Sequence, residues 1–364
     1  MVAQTVASGR AGARAITRAF REQSSRPSAA WVAFDLAGYV ALTLVAASTA
    51  SGPLALAAGV ASGVMVSRLF ILGHDACHGS LFGTRRLNEV IGRVVFLPAW
   101  TPYSLWDVGH NVAHHGFTNL RGRDHVWTPM SKAEFDAASP VRRLLERIYR
   151  SGLAGMGLYY GIELWWRRLY FPSRRHVGAR RREHWLDSSL VTVFMVGHGA
   201  VVVSVAQAGE VPVWQAVVAA VVVPQVVWNA LMGFVIYVQH THPDIAWFDN
   251  RREWEWFSAQ LASTPHVEFP LPFSALLHNI MEHTVHHLDV HVPHHALPAA
   301  QAELEHALGH GVRRHAWSWR EFRRTVRTCR LYDYERHCWV DYDGTVTSRA
   351  ELPARPASLV EVEV

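Results

Sequence analysis

Four apolar runs, each close to the length of a bilayer crossing, constrain this chain more than any other feature. They cover roughly residues 31–48, 54–72, 186–206 and 211–238. A hydrocarbon core about 30 Å thick takes about 20 apolar residues in a helix. Inside it a segment must satisfy its own backbone hydrogen bonds, which for runs of this kind means an α-helix. Two connections, residues 48–53 and 207–212, are short and rich in turn formers, so the runs pair into two hairpins. The fourth run is longer than a crossing needs, and its end is expected to project into water.

The rest of the chain is too polar for a protein made wholly of spans. Half of the 364 residues are hydrophobic and 18% are charged. This balance predicts a few membrane helices carrying a large aqueous part. The net charge is +5, and its placement is informative. The two short connections contain no Lys or Arg. Arg85 and Arg86 follow the second run, Arg174, Arg175, Arg180, Arg181 and Arg182 precede the third, and Arg251 and Arg252 follow the fourth. Cytosolic loops retain Lys and Arg, so both termini are expected in the cytosol. The same placement explains the basic charge without nucleic acid. Three cysteines, Cys77, Cys329 and Cys338, form no CxxC pair, which argues against a disulfide framework or a thiolate metal site.

These readings predict an all-α integral membrane protein, with four transmembrane helices in two hairpins and a cytosolic helical cap. The expected organisation is a basic cytosolic segment at 1–30, a first transmembrane hairpin at 31–72, a cytosolic segment at 73–185, a second hairpin at 186–238, a cytosolic segment at 239–345 and a flexible tail at 346–364. Arg10, Arg14, Arg18 and Arg21 suggest a basic surface helix. Residues 153–166 are apolar and aromatic but too short to cross, and suggest an interfacial helix.

The polar segments carry the chemistry. Of 23 histidines, eight fall into three clusters: His74 and His78 in HDACH, His110, His114 and His115 in HNVAHH, and His283, His286 and His287 in HTVHH. Residues four apart share a face of an α-helix, so His74/His78, His110/His114 and His283/His287 should each converge on a point. His115 and His286 would add ligands from a neighbouring angle. Eight imidazoles exceed the needs of one ion, and imidazole suits iron, zinc, copper and nickel. The HExxH pattern of zinc proteases is absent. Of the Glu-x-x-His pairs that carboxylate di-iron bundles need, only Glu303/His306 is present. Asp75 could orient a ligand imidazole, and His278 could play a similar supporting part. His198 is an ionisable group inside the third run, where helix packing is the simpler role.

The three boxes resemble those of the membrane fatty acid desaturase superfamily, which also holds hydroxylases and carotenoid ketolases. The resemblance covers roughly residues 70–300. The segments Gly73-His74-Asp75, Trp106-Asp107-Val108-Gly109-His110 and Tyr237-Val238-Gln239-His240-Thr241-His242-Pro243 are similar to the acyl-lipid, omega-6-type bacterial branch. The resemblance implies a histidine-rich di-iron site in the cap, with two non-haem Fe ions and O2 as co-substrate. It also implies an acyl-chain lipid substrate, two electrons from an external donor, ferredoxin-like or cytochrome-type, and residence among the lipids of a bacterial cytoplasmic membrane. It further implies a ninth histidine just after the last span. His240 fits that place, with His242 as its competitor. If the last helix continues toward Pro243, the two point about 200° apart, at about 100° per residue. A hydroxylase or ketolase on the same scaffold, and a non-catalytic metal-binding membrane protein, are the alternative readings.

The charge pattern gives a topology that can be tested directly. A reporter fused after residue 209 should read as external and one fused after residue 260 as cytosolic. Reporters on the same side would refute the two-hairpin arrangement.

Overall fold

The computed structural model describes residues 10–22, 25–172, 181–270 and 272–352. Arg174, Arg175 and Arg180, and the expected flexible tail from residue 353, lie outside the described residues. Among the described residues, four helices are long and apolar enough to cross a membrane: Ser25–Ser48, Gly52–Cys77, Arg182–Ala208 and Val213–His240. The first starts earlier than its apolar run, and the second runs on through His74 to Cys77. Ser51 caps the second span by accepting from the Leu54 N–H, and a proline stands in its first turn, where no hydrogen bond is lost. The fourth span is interrupted by a π-helical segment, Val218–Val222, just before Pro224. A proline inside a helix removes a donor, and a local change of hydrogen-bond register is one way a membrane helix accommodates it.

The chain divides into two compact units, one of Gln23–Gly109 with Met156–Phe234 and one of Met1–Glu22, His110–Gly155 and Val235–Val364. The first, the span unit, is held by small residues. Ala46, Ala47, Ala55, Ala58, Ala206, Ala216, Ala219 and Ala220 bury one another where the short connections lie. Gly63 faces the fourth span so closely that a Cβ there would lie 2.6 Å from Val227 Cβ and 2.9 Å from the Pro224 carbonyl oxygen. Close backbone approach of this kind is how membrane helices gain contact when lipid offers no hydrophobic driving force. Arg68 is buried and donates to Asp35 at 2.8 Å, so the span carries its charge as a pair. His198 packs on Phe194 and lies 3.4 Å from the Tyr39 hydroxyl, the packing role expected for it. The outer faces are apolar: Val193 and Val196 on the third span are each 70% exposed, as a lipid-facing surface requires. The helix expected at 153–166 continues in π register to Tyr170. Within the span unit its Tyr160 ring packs on Trp228 of the fourth span.

The second unit, the box unit, is mixed rather than purely helical. Two short parallel strands, His266–Glu268 and Arg314–Ala316, pair with each other. Leu331–Asp333, Cys338–Val340 and Val346–Arg349 form an antiparallel three-stranded sheet. The last strand occupies the first residues of the segment expected to be a flexible tail. The basic helix near the N-terminus, Arg10–Thr17, has a buried face. Its Ala13 joins a core with Val285, Leu288, Val292 and Leu297. The Thr17 hydroxyl and the Arg21 guanidinium both donate to Asp289, Arg21 at 2.7 Å. Burial pushes the Asp289 carboxyl up, but His291, Thr17 and Arg21 outweigh it and hold it at about 2. The helix expected on the surface is therefore packed beside the third histidine box.

The glycine contact predicts a sharp positional contrast. Gly63→Val should destabilise the span unit by about 1–3 kcal/mol through overpacking. Gly199→Val should be nearly neutral, because nothing lies within 4 Å of a Cβ built there. Thermal unfolding in detergent measures both, and equal shifts would refute the packing account.

Candidate metal centre

The third box lies on a short helix, His283–Leu288, in which every residue is buried. The second box lies on a π-helical turn, Val108–His114, continued by a hydrogen bond from the His115 N–H to the His110 carbonyl at 2.9 Å. The wider turn changes the expected pairing. In an α-helix His110 and His114 would share a face. Here His110 Nε2 faces His115 Nε2 at 3.0 Å, while His114 turns elsewhere. The i to i+5 spacing brings His110 onto His115, and it sends one box to two clusters.

The first cluster is His114, His240, His283 and His287, all buried, with ligand atoms within 4.8 Å of one another. His240 Nε2 lies 3.1 Å from His114 Nε2 and 2.8 Å from His283 Nε2. The second group in the box unit is His110, His115 and His286, with the His115 and His286 rings 4.9 Å apart. In the span unit, His74 Nε2 and His78 Nε2 lie 3.3 Å apart on the end of the second span. The α-helical spacing expected for these two is present.

Two of these groups have members oriented from behind. The Asp124 carboxylate meets His114 Nδ1 at 3.1 Å and also accepts from the Asn119 and Val126 N–H groups. Burial raises the Asp124 carboxyl, but the His114 imidazole and these backbone donors bring it below its ordinary value, so it stays ionised. His287 Nδ1 donates to Gln260 Oε1 at 2.7 Å, and the other end of that amide donates to the His115 carbonyl at 2.9 Å. Asp75 meets His74 Nδ1 at 3.2 Å. Partners of this kind fix the tautomer, with the proton on Nδ1 and the lone pair on Nε2. Burial, reinforced by neighbouring imidazoles, pushes His287 well below the usual histidine value. The ring is neutral at physiological pH, the form that binds a metal.

These donors fit a metal ion. The His287 Nε2 atom is buried with no hydrogen-bond partner. His240 Nε2 faces two other Nε2 atoms and can donate a proton to one at most. Two nitrogens each about 2.1 Å from a shared ion lie about 3.0 Å apart at right angles and about 3.4 Å apart at the tetrahedral angle. The observed spacings bracket the lower value.

His242 and His278 fall outside this set. The helix of the fourth span ends at His240, earlier than Pro243 suggests. His240 stands on its last turn and His242 beyond it, where its ring stacks on His315 with centroids 3.8 Å apart. His278 packs on His294. Asp124 and Gln260 were not legible in the sequence. Asp124 stands 10 residues from His114 and Gln260 27 from His287, outside any helical spacing, and neither belongs to a motif.

Apolar spans, with three histidine boxes whose imidazoles gather into groups able to hold a metal, define a membrane protein of the histidine-box class. The chain belongs to the fatty acid desaturase family, whose model matches residues 51–319. It is similar to the chloroplastic omega-6 fatty acid desaturase of Spinacia oleracea, at 25% identity over 80% of this chain and 62% of that protein. It is also similar to the sn-1 oleoyl-lipid 12-desaturases of Synechocystis, at 28% identity over 75% of each chain, and Picosynechococcus, at 29% over 76% of each. The chain spans about three fifths of the length of the spinach relative.

Asp124→Asn keeps an acceptor for the loop but removes the charge behind His114. Metal retention against a chelator should fall roughly 10–100-fold, the range for loss of such an outer partner. Unchanged retention, measured by elemental analysis after dialysis, would show that the carboxylate does not tune the ligand.

Proposed function

We propose that this protein is a membrane fatty acid desaturase that introduces a double bond into the acyl chain of a lipid. The observation that carries the reading is the cluster of His114, His240, His283 and His287, whose nitrogens face one another in a buried site. In this proposal His74, His78, His110, His114, His115, His240, His283, His286 and His287 are the ligands of two non-haem irons. Bound iron supplies the oxidising chemistry, with O2 as oxidant. The overall balance is loss of two hydrogens from adjacent carbons, while O2, two electrons and two protons give two waters.

The chain's own residues prepare that chemistry. Neutral imidazoles leave the bound ions with their full positive charge, which favours a strongly oxidising centre. Asp124, Gln260 and Asp75 hold protons on the outer nitrogens, so the inner lone pairs stay available. Burial of His240, His283 and His287 keeps bulk water from the cluster. An acyl chain partitions into the bilayer beside the spans, which supports a lipid substrate. The printed names of the cyanobacterial relatives, which act on an oleoyl lipid, support the same class. The electrons come from a separate carrier.

Full-length protein purified in detergent should hold about two irons per chain, more ions than one set of four ligands can bind. His74→Ala, His114→Ala and His287→Ala should each reduce turnover by more than the roughly 100-fold upper range for outer-shell partners, with membrane insertion unchanged. Lipid mass spectrometry of cells with and without the gene reads the outcome. Products lighter by two hydrogens support desaturation. Products that gain oxygen would replace it with hydroxylation, and full activity with zinc in place of iron would overturn the di-iron reading.

A further inference from the structure

The box unit holds another set of convergent ligands that the proposed reaction does not use. His242, Asp244 and His315 present ligand atoms within 4.8 Å of one another. They come from separate parts of the unit: the segment just beyond the fourth span and the strand Arg314–Ala316. Beside them, on the helix Trp319–Thr328, Glu321 Oε1 lies 3.5 Å from His242 Nε2 and accepts from Arg324 at 2.8 Å. Asp244 Oδ2 lies 3.3 Å from His242 Nδ1.

Several features suit a bound cation better than a hydrogen-bonded core. His242 Nε2 and His315 Nε2 are both buried with no hydrogen-bond partner. Leaving such atoms unsatisfied costs about 1–3 kcal/mol each. The two rings stack at 21°, which sets their nitrogens side by side. Convergence on one ion needs a turn of the His315 ring, and its Nε2 has no hydrogen bond to break. The carboxylates are each about one third exposed, at 34% and 32%, so the site has an aqueous entry. The backbone beneath is fixed. Trp339 Nε1 donates to the His242 carbonyl at 3.1 Å, Ser348 Oγ to the Pro243 carbonyl at 3.1 Å, and the Glu351 N–H to the Asp244 carbonyl at 3.0 Å. A nearby cation, Arg313, is engaged by Glu351 at 2.9 Å.

We propose that His242, Asp244 and His315 hold a zinc ion, with the Glu321 carboxylate beside it as an outer partner. Two imidazoles and one carboxylate are donors that zinc takes, and a water beside Glu321 would complete the four positions. Divalent zinc binds mixed nitrogen and oxygen donors more tightly than ferrous iron does. Its role is to pin the chain leaving the fourth span to the strand and helix near the C-terminus. The pinned segment begins two residues after His240, so the ion holds that ligand's backbone in place without touching the reaction.

The test uses full-length protein in detergent, equilibrated with zinc chloride, desalted and analysed for zinc and iron. Wild type should carry about one zinc per chain beyond its iron. His315→Ala should weaken zinc binding by more than the roughly 10–100-fold that losing an outer-shell partner costs, with iron unchanged. Glu321→Gln should weaken it less and also leave iron unchanged. Cobalt(II) substitution should give an absorption band in wild type that His315→Ala loses and Glu321→Gln weakens. Absence of zinc beyond iron in wild type, or zinc and cobalt signals that persist in both variants, would overturn the proposal. If His315→Ala loses iron as well, Glu321→Gln decides: zinc weakened with iron kept supports the site, and zinc unchanged refutes it.

Discussion

Imidazole nitrogens packed about 3 Å apart, away from water, are the constraint around which the box unit is arranged. A hydrogen bond needs one donor and one acceptor, and a neutral imidazole has one of each. Asp124 and Gln260 take up the Nδ1 protons of His114 and His287. That leaves lone pairs pointing at one another, and His240 cannot satisfy both of its neighbours. A cation bound between them would resolve the arrangement, and the placement of the Nδ1 protons keeps the inner lone pairs available for one.

The surroundings follow from that arrangement. The cluster must be dry and rigid, so the third box sits on a wholly buried helix. The N-terminal helix covers the same region through Ala13, and Thr17 and Arg21 tie it to Asp289, two residues past His287. The His240 ligand stands on the last turn of a long helix, which gives it a defined direction. In the span unit, small residues let the helices approach, and outward-facing valines provide a surface suited to lipid. The histidines there, His74 and His78, are carried by a span helix, and Asp75 meets His74 Nδ1.

Much of this was legible in the sequence, and the reasons differ by element. The spans could be read because hydrocarbon tolerates few solutions. The three boxes could be read because repeated histidine spacing is rare. What escaped notice depends on tertiary contact. Asp124 and Gln260 carry no local signal. The burial of the Arg10–Thr17 helix rests on Ala13 and Thr17, small residues that a count of arginines hides. The strand Val346–Arg349 forms because a partner strand is present, in a stretch whose composition suggests disorder. The second box was misjudged in register: its spacing was measured with an α-helical ruler, and the turn is wider.

That wider turn makes His110 and His114 two ends of one short lever. Neither can shift without moving the other, since the backbone between them is a single closed loop of hydrogen bonds. If both clusters take an ion, loading one therefore alters the geometry offered at the other, and by linkage the effect is reciprocal.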